Sequence, residues 1–150
     1  MPEKDIKLAL PNLKRSDYSL ESEDTPSYNC VAWAFSDTTA RWDPALVTGY
    51  YWPRRVIRSL AADNFVAMFE RIGGFMKCSN WKPEAGFEKI AVYADADGEF
   101  SHVARQKSNG MWTSKIGVLD DIDHSNPQVL EKDYGRISQF LKRPIEKTNA

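Results

Sequence analysis

Cys30 is the residue of this chain whose type and position most clearly allow chemistry. It opens the stretch CVAWAF, an apolar run typical of a short helix, and Ser27 or Asn29 just before it can cap that helix. Free backbone N–H groups at a helix start stabilise a thiolate, and they also bind the oxyanion that forms when a thiolate attacks a carbonyl. The position therefore predicts a nucleophile for acyl transfer. The alternative is a small hydrophobic residue at the edge of the core.

A thiol nucleophile needs a group that accepts its proton and later returns it, and histidine does this most often. The chain has two histidines. His102 lies in FSHVARQ, a stretch typical of a strand, which holds a side chain firmly. His124 lies in DIDHSN, which is typical of a solvated loop or of a cap for the next helix. His102 is therefore the predicted base, and a histidine that only packs within a strand is the alternative.

The third member of such a site depends on the register between two predicted strands. A two-residue turn at residues 109–110 would point Ser114 away from His102, whereas a three-residue loop at residues 108–110 would place Ser114 on the histidine's face. Asp121, beyond the end of the strand, offers a carboxylate, which stabilises an imidazolium better than a hydroxyl does. We expect Asp121 or Ser114 to orient the histidine, with a preference for Asp121.

Cysteine and histidine also bind zinc, so a metal site is an alternative. The candidate ligands are Cys30, Cys78, His102 and His124, but no two of them have the close spacing of a zinc knuckle. Cys78 also lacks a helix start and a neighbouring base, and we expect it to be structural. The preferred interpretation of the site therefore includes no metal and no cofactor.

The elements that must position these residues follow from hydrophobic spacing. Apolar residues at three- and four-residue intervals predict a helix over residues 54–72, ended by Gly73 and Gly74. From Phe87 the pattern alternates through three strands joined by DADG and SNG, which predicts an antiparallel meander. A short helix capped by Asn126 and a final strand, RISQFLKRP, follow. The expected fold class is α+β, with N-terminal helices packed on a small antiparallel sheet.

Composition limits the class of protein. The chain has 150 residues, a net charge of −1 and 42% hydrophobic residues, which predict one domain over residues 1–150 with an irregular arm over residues 1–27. A charge near zero gives no electrostatic basis for binding nucleic acid or an anionic membrane. Because the sequence has no long apolar run of the kind found in signal peptides and membrane helices, we expect a cytoplasmic protein.

The order of these parts resembles the papain-like cysteine peptidases and amidases. YNCVAWAF corresponds to the nucleophile helix of that superfamily, and SHVARQ corresponds to its histidine strand. The resemblance is greatest to its compact bacterial branches, which are cell-wall peptidases, CHAP-type amidases and effector-like domains. It implies a papain-like core in which Cys30 is the nucleophile and His102 is the base.

The resemblance also implies a substrate and further binding residues. Papain-like enzymes hydrolyse peptide or amide bonds, so we expect a substrate that contains such a bond, proteins included. No glutamine precedes Cys30 to bind the oxyanion, and Asn29, Tyr28 or backbone groups would take that place. Trp52, in the aromatic cluster GYYWP, would contact substrate, with core packing as the alternative. The second interpretation of the chain is a catalytically inactive module that keeps the papain-like scaffold and binds a partner.

Overall fold

The computed structural model describes residues 9–14, 16, 18–20, 30–34, 41–44, 50–54, 56–107, 109–116 and 121–145 of the chain. Strands dominate this part of the molecule. They are β1 Tyr18–Leu20, β2 Arg41–Trp42, β3 Tyr50–Tyr51, β4 Met76–Cys78, β5 Phe87–Ala94, β6 Phe100–Gln106, β7 Trp112–Lys115, β8 Asp121–His124 and β9 Arg136–Pro144.

One antiparallel sheet contains seven of these strands, in the spatial order β1-β8-β7-β6-β5-β9-β4. The meander β5-β6-β7 lies at its centre, as the alternating sequence predicts. The chain then extends the sheet in both directions, because β8 joins β7 on one side and β9 joins β5 on the other. Strands β2 and β3 form a separate parallel pair.

The described helices are short. Helix α1 is Cys30–Ala34, α2 is Ala62–Arg71 and α3 is Glu131–Tyr134, and a 3-10 turn at Pro127–Leu130 leads directly into α3. The side chain of Asn126 accepts a hydrogen bond from the backbone N–H of Val129, so the predicted cap and the proline after it are confirmed. No helix in the described part of the chain is long and apolar enough to cross a membrane.

The centre of the sheet is covered on both sides. Four successive residues of β5 are at most 1% exposed: Ile90, Ala91, Val92 and Tyr93. A sheet with one face in solvent would bury only every second residue. On one side, called the helix face, α1 and α2 pack on Val92 and Val103. On the other side, called the arm face, the segment at residues 10–13 and Leu130 pack around Tyr93. The sheet is therefore the middle of three layers.

The expected fold class, N-terminal helices packed on a small antiparallel sheet around a papain-like core, is wrong. The sheet has seven strands, and the three described α-helices have only five, ten and four residues. Part of the stretch expected to be an irregular arm supplies edge strand β1, whose Tyr18 pairs with His124. The spacing of apolar residues predicts individual short strands well, but it carries no information about which distant strands pair. Those pairings account for the size of the sheet.

The helix predicted over residues 54–72 is only half present. Helix α2 begins at Ala62; before it, the N–H of Val56 bonds to the carbonyl of Pro53 in a turn, and Ala61 bridges Glu99. Ile57 and Leu60 match the helical spacing, yet they are 76% and 51% exposed. Pairing with the meander therefore prevailed over local spacing in this segment.

Candidate functional site

Helix α1 places Cys30 at a fork in the sheet. The ladder between β6 and β7 holds two residue pairs, at the end of β6 and the start of β7, and α1 packs against both strands. Beyond these pairs, the backbone N–H of Val103 on β6 lies near the sulfur of Cys30 and lowers the pKa of its thiol. The backbone N–H groups of Val31 and of Cys30 itself lower the same pKa. Three backbone N–H groups therefore favour the thiolate form of this free cysteine.

The charge state of Cys30 is set mainly by burial. Its thiol packs against the core of the helix face, and this desolvation raises the pKa of Cys30 to about 11. The three N–H groups and the positive charge of Lys115 lower the pKa and offset only part of that effect. The thiol is therefore protonated near pH 7 when no substrate is present, although it is surrounded by groups that favour the thiolate.

His102, the predicted base, immediately precedes Val103 in the chain. Its imidazole is 1% exposed on the arm face, and its Nε2 has no hydrogen-bond partner among the described residues. Burial lowers the pKa of His102 to about 3, and repulsion from a charged His124 adds to the effect. The ring is therefore a neutral imidazole with an unused lone pair or proton at Nε2.

Tyr134 links the surroundings of the two predicted catalytic residues. Its ring stacks on the His102 imidazole, with centroids 4.2 Å apart and planes 7° from parallel. Burial raises the pKa of the Tyr134 hydroxyl, and negative charge on the Cys30 sulfur adds to that rise. Val103, which is next to His102 in the chain, and Tyr134, whose ring stacks on His102, are therefore shared by the surroundings of Cys30 and His102.

The register between β6 and β7 follows the three-residue loop. Arg105 pairs with Thr113, so Ser114 lies across from Ala104, on the arm face that also carries His102. Ser114 does not bond to His102, however. Its hydroxyl lies 2.9 Å from Nε2 of His124, and Nδ1 of that ring lies 2.8 Å from the carbonyl oxygen of Asn126.

These two contacts fix the tautomer of His124. A carbonyl oxygen only accepts, so Nδ1 carries the proton and Nε2 accepts from the Ser114 hydroxyl. Burial lowers the pKa of His124, against its bond to Asn126 and the charge of Asp123, which raise it. His124 is thus a buried strand residue, and the prediction of a solvated loop residue or a helix cap is wrong.

Of the other predicted site residues, Trp52 is the one whose side chain the structure describes, and it lies in the core of the helix face. Trp52 is 6% exposed in the core of the helix face, its indole N–H donates to the carbonyl of Val56, and its ring meets Phe65 edge-on. Asn29 and Tyr28 lie outside the described residues. The backbone of Asp121 pairs with Lys115 in the β7–β8 ladder, and its side chain lies outside what the structure describes.

The four residues considered as zinc ligands are separated. Cys78 lies on edge strand β4, with β9 and β5 between it and His102, and its thiol is 3.8 Å from the carbonyl oxygen of Asn80. Among the described residues, no group of three or more His, Cys, Asp and Glu side chains is arranged to hold a metal ion. The zinc alternative therefore has no geometric basis in this part of the chain.

Three residues near the site were missed by sequence reasoning: Tyr134, Lys115 and the buried form of His124. Alternation of Ile122 and His124 with acidic neighbours is a strand signal, and it was masked by the acidic, loop-like character of DIDHSN. Lys115 is fully buried at the end of β7, where a lysine normally ends a strand in solvent. Nothing local marks Tyr134, because its contact with His102 joins residues 32 positions apart.

Comparison with known proteins places the whole sheet within one family. A family model described as a domain of unknown function, DUF7689, matches residues 19–142, which run from β1 to β9 and include Cys30, His102 and Tyr134. No curated protein and no solved structure matches the chain.

Proposed function

We propose that this chain, which belongs to the DUF7689 family, is a thiol hydrolase that cleaves a peptide or amide bond with Cys30 as nucleophile. His102 is the base and then the acid of the reaction. The substrate is a peptide or another molecule with an accessible amide carbonyl.

One observation carries the proposal. Three backbone N–H groups lower the pKa of the Cys30 thiol, and one of them belongs to Val103, next in the chain to a buried histidine with an unpaired Nε2. Buried polar atoms without partners are rare in proteins, because each costs about 1–3 kcal/mol. Nε2 of His102 is one such atom, and we assign it the role of proton acceptor.

The pKa values determine the order of events. Near pH 7 the Cys30 thiol, with a pKa of about 11, keeps its proton, and the His102 imidazole, with a pKa of about 3, is neutral. The resting site therefore holds no preformed ion pair. Because Cys30 packs on the helix face and His102 lies on the arm face, the thiol proton passes to His102 through one bridging water at the fork between β6 and β7. This happens as the sulfur–carbon bond forms at the substrate carbonyl, and the carbonyl oxygen becomes an oxyanion beside the N–H of Cys30.

The intermediate then collapses and the amine leaves. His102 returns the proton to the amine nitrogen as the carbon–nitrogen bond breaks, which leaves an acyl thioester on Cys30. Water, deprotonated by the same imidazole, attacks the thioester and releases the acid and the free thiol. Tyr134 orients the imidazole by stacking, and this contact takes the place expected for Ser114 or Asp121.

A second candidate function follows from the same burial. Desolvation opposes both the Cys30 thiolate and the His102 imidazolium, which are the charged forms that catalysis needs. This favours a catalytically silent module, in which the buried polar groups only specify the fold. Such a module would bind its partner without forming a covalent intermediate. The two candidates differ in one measurable respect, the acyl thioester.

Incubation with p-nitrophenyl acetate, a small activated ester, tests the proposal. The thiol hydrolase releases a burst of nitrophenol and carries one acetyl group on Cys30 in the intact and peptide mass spectra. Cys30→Ala abolishes both signals, and His102→Ala slows acylation by about 10²–10⁴-fold, as expected for loss of general base catalysis. Cys78→Ala is the matched control, since Cys78 is also a half-buried free thiol.

Acetylation of Cys78 at the same rate as Cys30, or an unchanged rate in His102→Ala, contradicts the thiol hydrolase and supports the silent module.

A further inference from the structure

The turn that joins β6 to β7 has a chemistry of its own. Asn109 is followed by Gly110, and it is the one asparagine of the chain that a glycine follows. The backbone nitrogen of the next residue can attack the amide carbon of an asparagine side chain, which closes a five-membered succinimide ring and releases ammonia. Glycine favours this attack, because it has no Cβ to obstruct the approach and its backbone reaches conformations that other residues avoid.

Hydrogen bonds define the geometry of this turn. The backbone N–H of Lys107 donates to the carbonyl of Met111 over 2.7 Å, and the N–H of Gly110 donates to the carbonyl of Lys107 over 3.0 Å. These bonds close a three-residue loop in which Gly110 has a φ of +89°. Asn109 is exposed in this loop. Solvent therefore reaches the side chain, supplies the water that the reaction needs and carries the ammonia away.

The side-chain amide of Asn109 is polarised by the backbone. Its Oδ1 accepts a hydrogen bond from the N–H of Met111 over 2.9 Å. This donor stabilises the negative charge that Oδ1 gains when a nucleophile adds to Cγ, as the donors of an oxyanion hole do. We infer that Asn109 is a site of spontaneous modification, at which attack by the Gly110 nitrogen leads to deamidation and to isomerisation of the main chain.

The modification consumes water and no other reactant. The Gly110 nitrogen loses its proton to a solvent base and bonds to Cγ of Asn109. The bond between Cγ and Nδ2 then breaks, and Nδ2 takes a proton from solvent and leaves as ammonia. Water opens the succinimide at one of its carbonyl carbons. Opening at Cγ yields an aspartate. Opening at the main-chain carbonyl yields an isoaspartate, in which the backbone runs through Cβ and Cγ and is longer by one carbon.

An added main-chain carbon matters here because the ladder that the turn closes is short. It holds two residue pairs, Arg105 with Thr113 and Gln106 with Trp112. The register of a hairpin depends on the length of its loop, so the isoaspartate alters the connection that keeps these pairs aligned. We expect the isoaspartate form to have less protected backbone amides in the β6–β7 ladder than the fresh protein has.

Incubation of the purified chain at mildly alkaline pH, followed by peptide mass spectrometry, tests the inference. Deamidation replaces the side-chain NH₂ by an oxygen and changes the mass of the peptide that contains residue 109. An isoaspartate-specific carboxyl methyltransferase labels the isomerised product.

Asn80 is the matched control within the same molecule. It is also exposed, and its Oδ1 accepts from the N–H of Lys82 over 3.1 Å and from Nζ of Lys89 over 3.0 Å. The residue that follows it is Trp81, whose Cβ obstructs the attacking nitrogen. We expect Asn109 to react at least about tenfold faster than Asn80. Equal rates at the two asparagines, or no conversion at Asn109, would overturn the inference.

Asn109→Gln separates this modification from other changes during incubation. Glutamine would have to close a six-membered ring, which forms far more slowly, so residue 109 of the variant stays unmodified. Hydrogen exchange measured before and after incubation should show lost protection in the β6–β7 ladder of the wild type and none in the variant. Equal losses in the two proteins would contradict the link between the turn and the ladder. Neither measurement involves Cys30 or His102, so the outcome is independent of the proposed hydrolase.

Discussion

The hydroxyl of Ser114 donates a hydrogen bond to Nε2 of His124 over 2.9 Å, deep within the arm face. This pair uses the serine that sequence spacing assigns to His102. It leaves His102 with Tyr134 as its neighbour and with a free Nε2. The arm face thus contains one satisfied histidine and one unsatisfied histidine, and their variants should behave differently.

Ser114→Ala should destabilise the protein by about 1–3 kcal/mol, because it leaves the buried Nε2 of His124 without a hydrogen-bond donor. The neighbouring Thr113→Val is the control: Thr113 is also fully buried, but its hydroxyl has no partner among the described residues. That variant should be neutral or stabilising. Urea denaturation measures both free energies of unfolding, and a cost for Ser114→Ala no larger than that for Thr113→Val would contradict the assignment.

His102→Gln should make the protein less sensitive to acid. The unfolded chain binds a proton at His102 below its ordinary pKa of 6.5, whereas the folded chain binds it only near pH 3, so this residue costs stability progressively as pH falls through that window. Within the window, the variant should reduce the slope of the unfolding free energy against pH by about 1.4 kcal/mol per pH unit. The carboxylates contribute to both proteins, so identical slopes would show that His102 titrates normally.

Tyr134→Ala should raise the pKa of His102 from about 3 toward 6.5, because removal of the stacked ring lets water reach the imidazole. Tyr134→Phe keeps the ring and should leave the pKa near its wild-type value. Histidine resonances followed by NMR across pH 3–7 give the pKa directly. A His102 that titrates alike in the Ala and Phe variants would rule out Tyr134 as the cover of the site.

Gly135→Ala should be far more costly than Gly98→Ala. Both glycines have positive φ, +100° and +79°, where a side chain costs about 1–2 kcal/mol. A Cβ at Gly135 would also lie 2.1 Å from the carbonyl oxygen of Ala94, whereas none of the described atoms lies within 4 Å of one at Gly98. We expect at least about 2 kcal/mol of additional destabilisation at Gly135, measured by thermal and urea unfolding. Comparable losses in the two variants would refute the close approach of this loop to β5.

Local features of the structure could be predicted from the sequence because they depend on near neighbours. Alternation gave the three strands of the meander, and the Asn126 cap followed from the Asn–Pro pair. Helix α1 begins at Cys30, as the cap and the apolar run indicate. For the site, the sequence correctly picked out the strand of His102, and only the length of the loop at residues 108–110 decided the face of Ser114.

Distant pairings could not be predicted because no local pattern encodes them. Strand β9 pairs with both β5 and β4, and β1 pairs with β8 more than 100 positions later. The same holds for the stack of Tyr134 on His102 and for the burial of Lys115. Ile57 and Leu60 show the converse error, since helical spacing there reflects neither a helix nor burial.

The backbone N–H of Val103 lies near the Cys30 sulfur, so the main chain of β6 responds to the chemistry of one side chain. Sulfur is a weak acceptor, so this amide has less protection against deuterium exchange than a neighbour bonded to a carbonyl. Alkylation or oxidation of the thiol changes the acceptor itself. The deuterium-exchange rate of this backbone amide, at the centre of the sheet, therefore reports whether Cys30 has been modified, without any reagent directed at the cysteine.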